Sequence, residues 1–278
     1  MQKIKVLIIS LFLIIFAICP AYAQENNFAR PVIIMGDSQV NHEIHQKIVD
    51  QIIRENPVAV FQLGDQVNDG NDPEEWKIFN RITAGLRKIA RYYPLLGNHD
   101  KNSQLYYDNF ELPNNERWYS VKENRIRFII LDSNAKLAKD SEQYKWLVKK
   151  LVSPSLDTDF TLLLFHHALF TTSISHRADE KRLRKILMPL IKKYHVDAVF
   201  NGHCHNYERN YYANVYFIVS GGAGSRLWDQ NRQSPYSQKF VKQYHYIKLI
   251  NAGKKLEVLV INIDSNLMDR FAIKAKRR

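Results

Sequence analysis

Five short polar clusters stand out along the chain: Gly36-Asp37-Ser38-Gln39, Gly64-Asp65-Gln66-Val67-Asn68, Gly97-Asn98-His99-Asp100, His166-His167 and Gly202-His203-Cys204-His205. Asp, Asn, Gln and His offer oxygen lone pairs and imidazole nitrogens. That mixture suits Mn, Fe, Zn or Co rather than Ca or an iron–sulfur cluster. Taken singly the signals are weak, because a Gly-Asp pair is an ordinary turn and a lone histidine is more often a structural hydrogen-bonder. Five clusters of the same donor chemistry are hard to explain as five coincidences.

The elements that must position them can be read from the apolar runs. Pro31–Met35, Val58–Leu63, Phe160–Phe165 and Val196–Phe200 read as short buried strands, and a polar cluster follows each. Open α/β sheets place their ligands at such strand ends. Each Gly lets the chain turn sharply there. Asn41–Glu55 has helical spacing through Ile44, Ile48 and Ile52 and stops before Pro57. Asp72-Pro73-Glu74-Glu75 is a helix start, with a capping acid and acids facing the dipole, and that helix can continue to Arg91. Trp118–Asp132 reads as a hairpin across Glu123-Asn124. Ser141–Leu151 and Glu180–Tyr194 read as helices, and Val215–Ser220, Tyr244–Ile250 and Leu256–Ile263 as strands. Parallel units early and antiparallel hairpins late predict a layered α/β fold around a mixed sheet or a pair of sheets.

In this order the clusters resemble the calcineurin-like metallophosphoesterase superfamily, which includes the purple acid phosphatases. Its pattern runs D-x-H or D-x-x, G-D-x-x-[DNY], G-N-H-[DE], a histidine, and G-H-x-H. The likeness extends from Asp37 to His205, and Asn206-Tyr-Glu-Arg209 is also similar to the purple acid phosphatase motif. The Gly-Asn-His-Asp and Gly-His-x-His pieces are its specific parts. The resemblance implies a four-layer αββα sandwich with two mixed sheets and a site for two divalent metal ions (Mn, Fe, Zn or Co).

Carried over residue by residue, the resemblance implies that Asp65 bridges both metals. Asp37 and His205 would hold the first, and Asn98, His166 and His203 the second. Gln39 stands where many members have a histidine ligand, and this Asp-x-Gln variant resembles manganese-dependent ADP-ribose/CDP-alcohol diphosphatases. Asn68 stands where purple acid phosphatases carry an iron-binding tyrosine, which predicts a colourless protein with two divalent ions. His99 is the candidate to stabilise phosphoryl oxygens or to protonate the leaving group. His176 resembles an outer histidine of purple acid phosphatases and is a second candidate acid, against the plain reading of a surface-loop histidine. His167 reads as packed behind His166. With such ligands, two divalent ions less two carboxylates and one bridging hydroxide leave about one positive charge for a phosphate anion. That hydroxide would attack phosphorus in line, so no Ser or Cys nucleophile is needed.

His203 and His205 lie two apart, so extended backbone would put both on one side and turn Cys204 away as buried filler. Gly221-Gly222-Ala223-Gly224 lacks the Lys-Ser/Thr of a P-loop and reads as a tight turn lining the cleft. Trp118, Tyr207 and Trp228 are either base-stacking surfaces or packing. Lys274–Arg278 reads as a solvated tail.

The chain of 278 residues is 45% hydrophobic and 24% charged, enough for one large domain and unlike a disordered or low-complexity chain. Forty basic against 28 acidic residues give +12, which favours anionic partners without choosing among them. At the amino terminus Lys3 and Lys5 precede an apolar run from Val6 to Cys19, followed by Ala21-Tyr22-Ala23. That reads as a secretory signal peptide over 1–23, leaving a single domain over 24–278 in the periplasm or outside the cell. A lipoprotein acylated at Cys19 is the alternative. The function that follows is an exported phosphoesterase acting on small phosphomonoesters, phosphodiesters or nucleotide diphosphate compounds. A nuclease is the runner-up, disfavoured because Lys and Arg are scattered along the chain rather than clustered. A non-catalytic metal-binding module of the envelope is a third reading.

Overall fold

Side-chain alternation decides the architecture. The computed structural model describes residues 30–153, 157–173 and 177–276; the leader expected over 1–23 and His176 lie outside them. The strands β1 (Val32–Met35) and β2 (Ala59–Gln62) are buried on both faces. Val32, Ile34, Ala59 and Phe61 face one apolar cluster, while Ile33, Met35 and Val60 face another. Successive strand residues point to opposite sides, so this sheet is covered twice. Its outer cover is α1 (His42–Arg54) and α2 (Pro73–Ile89), which bring Ile48, Ile52, Ile82 and Leu86.

The pattern repeats in the second half. After β3 (Arg91–Pro94), α3 (Gln104–Asn109) and β4 (Tyr119–Glu123) come β5 (Ile126–Ile130), α4 (Glu142–Val152), β6 (Phe160–Leu164) and α5 (Arg177–Lys193). Phe128, Ile130, Leu162 and Leu164 enter the cluster shared with the first sheet. Ile129 and Leu163 turn outward onto Leu147 and Leu151 of α4 and Leu183, Leu187 and Ile191 of α5. The layers are therefore helix, sheet, sheet, helix, with the central core between the sheets.

The remaining strands are β7 (Ala198–Asn201), β8 (Tyr207–Tyr212), β9 (Val215–Ser220), β10 (Ser237–Val241), β11 (His245–Asn251), β12 (Lys255–Asn262) and β13 (Leu267–Lys274). One sheet runs β13-β12-β11-β1-β2-β3 and the other β10-β8-β9-β7-β6-β5-β4. Both are mixed: β1, β2 and β3 are parallel while β11 meets β1 antiparallel, and β5, β6, β7 and β9 are parallel while β4 and β8 run against them and β10, antiparallel to β8, runs with them.

Local signals explain most boundaries. Asp72 caps α2 by accepting the Glu74 amide at 2.8 Å, with Pro73 in the first turn. The β4–β5 hairpin turns through Asn124 and Arg125, both at positive φ as a tight two-residue turn needs. Two expectations change. The helix expected to reach Arg91 ends at Ile89, because Arg91–Pro94 leaves to pair with β2 as an edge strand where Pro94 is tolerated. The expected solvated tail is partly sheet: Lys274 closes β13, and Lys276 donates to Val196 O at 2.5 Å. No helix among the described residues is long and apolar enough to cross a membrane.

Candidate metal centre

The clusters meet at one edge of the sandwich, where β1, β2, β3, β6 and β7 end. Asp37, Asp65 and His203 all adopt left-handed backbone, with φ of 60°, 53° and 68°. Non-glycine residues hold that conformation at a cost and do so chiefly where surrounding structure imposes it, often at functional sites. Here the surroundings are visible. The buried Asp100 carboxylate accepts the amides of Asp65 (2.9 Å), Gln66 (3.0 Å) and Gly97 (2.8 Å), knotting the turn after β2 to the turn after β3. The His203 amide donates to both carboxylate oxygens of Asp37 at 3.0 Å, tying the second sheet to the first.

Donor atoms converge in two groups that share one residue. Asp65, His166 and His203 form one, Asp37, Asp65 and His205 the other, and within each group the ligating atoms lie within 4.8 Å of one another. His166 Nδ1 donates to Leu63 O at 2.8 Å, which leaves Nε2 facing Asn98 Oδ1 at 3.0 Å, His203 Nδ1 at 3.1 Å and Asp65 Oδ2 at 3.3 Å. His205 Nδ1 donates to Arg226 O at 3.0 Å, which leaves Nε2 3.5 Å from Asp37 Oδ1. A backbone carbonyl only accepts, so in both rings the tautomer that satisfies it aims an unprotonated nitrogen at carboxylate oxygen.

Such convergence of lone pairs in a buried place demands positive charge. Burial pushes the His166 imidazole down, yet the Asp65 carboxylate against it prevails and lifts it to about 10. Burial likewise works against the carboxylate of Asp65, and His166 overrides it and holds Asp65 below the ordinary range. Burial also opposes a charge on His205, and its bond to Asp37 raises it. The donor set therefore fits a pair of divalent ions, which would take the place of those protons. The buried Gln39 Oε1, which has no hydrogen-bond partner, is one more orphaned donor at the same place.

The other residues singled out by sequence fall as follows. Gln39 Nε2 donates to Asp65 Oδ2 at 3.1 Å, so in this orientation Gln39 clamps the shared carboxylate, and holding a metal would require its amide to turn over. His99 donates its amide to Asp65 Oδ1 at 2.9 Å and anchors Nδ1 on Asn68 O at 2.8 Å. His167 packs its ring 4.4 Å from that of His203 and meets Ser133 Oγ through Nδ1 at 2.8 Å. The extended geometry expected for Gly202–His205 is absent. The chain instead bends twice, with Cys204 N on Gly202 O and Asn206 N on Cys204 O at 2.8 Å, and its two histidines are dealt to different donor groups. Cys204 packs with Ala168 and Val219, and burial pushes its thiol up to about 12.

The glycine-rich turn after β9 lines the cleft. A Cβ on Gly221 would sit 2.4 Å from Cys204 O and 2.9 Å from Asp37 Oδ2, so the chain passes there because no side chain intervenes. Of the three aromatic candidates, Tyr207 is in the core with its hydroxyl on Asp269, and Trp118 lies against the Arg117 guanidinium. Trp228 lies against the His205 ring at 4.4 Å.

Asp100 was within reach of sequence reading, since it completes the Gly-Asn-His-Asp cluster; its anchoring role was not. Glu208 lies in the Asn206-Tyr-Glu-Arg209 stretch already singled out, but its role was not legible there. It is fully buried and takes the hydroxyls of Thr171 and Thr172 and the Thr172 amide, pinning the segment that follows His166. A cavity of about 550 Å³ opens at the opposite end of the first sheet, beside Arg30, Val58 and Arg91. There Arg30 and Arg87 already donate to the carbonyls of Ile89 and Asn109 at the ends of α2 and α3.

Two covered, mixed sheets carry at their strand ends paired donor groups that share a carboxylate and could hold two metal ions. The chain belongs to the calcineurin-like phosphoesterase family, whose model matches residues 30–207. Purple acid phosphatase 1 of Ipomoea batatas is 34% identical over 94 residues, which are 34% of this chain and 20% of that protein. Probable inactive purple acid phosphatase 27 of Arabidopsis thaliana is 25% identical over 247 residues, 72% of this chain and 40% of that protein. The structure of a purple acid phosphatase from yellow lupin (Lupinus luteus) seeds superposes with a TM-score of 0.79 at 22% identity, over 88% of this chain and 53% of that one. At that identity the likeness shows the fold. The chain thus matches about half or less of the length of these relatives.

Proposed function

We propose that this chain is an exported metal-dependent phosphoesterase that hydrolyses small phosphate esters or anhydrides. The observation that carries the reading is the pair of buried donor groups that share Asp65. In this reading Asp37 and His205 hold one divalent ion, Asn98, His166 and His203 the other, Asp65 serves both, and Gln39 steadies or joins the first. Two such ions supply Lewis acidity, an activated water and a clamp on the phosphoryl group.

The chain's own groups do the rest. His166 and His205, locked through Nδ1 by Leu63 O and Arg226 O, present Nε2 without rotating. Asp100 keeps Asp65 in its left-handed turn. His99, with Nδ1 spent on Asn68 O, has Nε2 as the atom that stabilises phosphoryl oxygen or passes a proton to the departing oxygen. Asn68 in place of a tyrosine makes the loaded protein colourless. Export rests on the sequence of residues 1–23, and an intact mass beginning at Gln24 tests it.

The test is product release by metal-stripped mature protein resupplied with Mn, Zn, Co or Fe(II). It is offered a chromogenic phosphomonoester, a phosphodiester and a polynucleotide side by side. Metal-dependent turnover of either small ester supports the reading, and faster turnover of polynucleotide replaces it with a nuclease. Metal bound without turnover of any ester supports a non-catalytic module. The name of the Arabidopsis relative, a probable inactive purple acid phosphatase, favours that last reading.

A further inference from the structure

The cavity of about 550 Å³ at the far end of the first sheet is bordered by guanidinium groups whose own contacts fix their place. Arg30 donates through Nε to Asn56 O at 2.9 Å, and through Nη2 to Pro57 O at 2.7 Å and Ile89 O at 2.9 Å. Arg87 donates through Nη1 to Asn80 Oδ1 at 2.8 Å and through Nη2 to Asn109 O at 2.7 Å, with its Cζ 4.9 Å from the centre of the Phe110 ring. Lys88, the next residue of α2, is exposed and borders the same cavity.

Capping explains part of this, because carbonyls at a helix C-terminus favour cations. It does not explain the charge. Every one of those partners is neutral, and among the described residues no carboxylate pairs with Arg30, Arg87 or Lys88. Arg91, the fourth cation of the lining, is taken by the buried Glu123. Glu111 is the single acid lining the cavity among the described residues, so a surplus of two positive charges faces it. A guanidinium carries five N–H donors, and Arg30 Nη1 and Arg87 Nε have no partner among the described residues. Apolar groups complete the wall: Val58, Phe110, Leu112 and Ile89, the last a large side chain left 40% exposed. The volume lies in the range of small-molecule sites, and guanidinium is a strong, forked donor for phosphate oxygens.

We propose that this cavity is a second ligand site, separate from the metal centre, which takes a small organic anion. A phosphate or phosphonate group is held by Arg30, Arg87 and Lys88, and an apolar ring or chain lies against Val58, Ile89 and Phe110. Both guanidinium groups are fixed before the ligand arrives, so ordering them costs little on binding. The site uses none of the donors at the metal centre, and its occupation neither needs a metal nor rests on the phosphoesterase reading.

The test is calorimetric titration of metal-loaded and metal-stripped protein with phenylphosphonate, which carries both features and has no ester bond to hydrolyse. Melting temperature serves as the folding check on each sample. One equivalent should still bind after the metals are stripped. Lys88→Glu should weaken that binding about tenfold or more, the scale of a hydrogen bond to a charged group. Arg87→Gln should act alike; because Arg87 also caps α3, the exposed Lys88 keeps the test decisive if that variant unfolds. Lys47→Glu makes the same charge change on an exposed position of α1 outside the cavity and should leave binding unchanged. Orthophosphate, which lacks the ring, should bind the stripped protein about tenfold more weakly. Binding that disappears with the metals, or that Lys88→Glu and Lys47→Glu weaken equally, overturns the inference, and so does orthophosphate binding as tight as that of phenylphosphonate. Protein that hydrolyses no ester yet keeps the metal-independent binding refutes the phosphoesterase reading and supports the second site.

Discussion

Gly97→Ala tests the geometry of the shared carboxylate directly. A Cβ on Gly97 would lie 2.0 Å from Asp65 Oδ1, 2.3 Å from Asp65 N and 2.8 Å from Asp65 Cγ, against at least 3.0 Å in real structures. Asp65 would have to retreat by about 1 Å, a displacement that costs a reaction on the order of 100-fold. It cannot retreat freely, because one oxygen of Asp100 holds both the Asp65 and the Gly97 amides. Overpacking costs about 1–3 kcal/mol, and stretching a buried hydrogen bond adds roughly another 1–3 kcal/mol. For a domain of this size that sum lowers the melting temperature by roughly 5–15 °C. Gly85→Ala is the control: it lies in α2, its nearest neighbour is Ile53 Cδ1 at 3.4 Å, and helix propensity favours Ala by about 1 kcal/mol. The assay is thermal unfolding with metal content and phosphate release on the same samples. Gly97→Ala with unchanged melting temperature, metal content and rate would refute the reasoning.

Asp65→Asn should lose metal from both positions and lower the rate with it, read by elemental analysis; full metal content would show that Asp65 is not shared. His99→Ala should retain metal while the rate falls by about 10²–10⁴, and loss of metal instead would make His99 a ligand. Metal-free protein should lose stability as pH rises from 6.5 to about 10, because the raised His166 contributes its full stabilisation below its unfolded value and loses it above its folded one. Denaturant unfolding across that range should show the trend, and metal should abolish it by displacing the proton. Burial depresses His45 to about 3 and His245 to about 4, so both forms should lose stability as pH falls from 6.5 toward those values. A flat profile below 6.5 would contradict the burial of those rings.

How far the sequence carried the site is clearest at particular residues. Asp37, Asp65, His166 and His203 announce themselves because each follows an apolar run that reads as a buried strand, and parallel strands deliver their ends to one edge; Asn98 stands out by its Gly-Asn-His-Asp cluster alone. The two sheets follow from runs such as Val32–Met35 and Phe160–Leu164, apolar on both faces and so covered on both. The edge strands β3, β10 and β13, and β8 next to the edge, were not legible. Half-exposed strands such as Arg91–Pro94 and Ser237–Val241 carry little alternation, and their pairing partner decides their conformation.

Sequence by itself determined the donor types, their order and the strand ends that carry them, since these depend on local hydrophobic pattern and turn chemistry. Tertiary structure decided which donors share a group, because that depends on two sheets meeting across a core. It parted His203 from His205 by a bend, turned the Gln39 amide toward Asp65, and set Asp100 beneath both turns. It also paired Lys101 with Asp69 and Asp229 with Lys242, partners distant in the chain that only folding brings near.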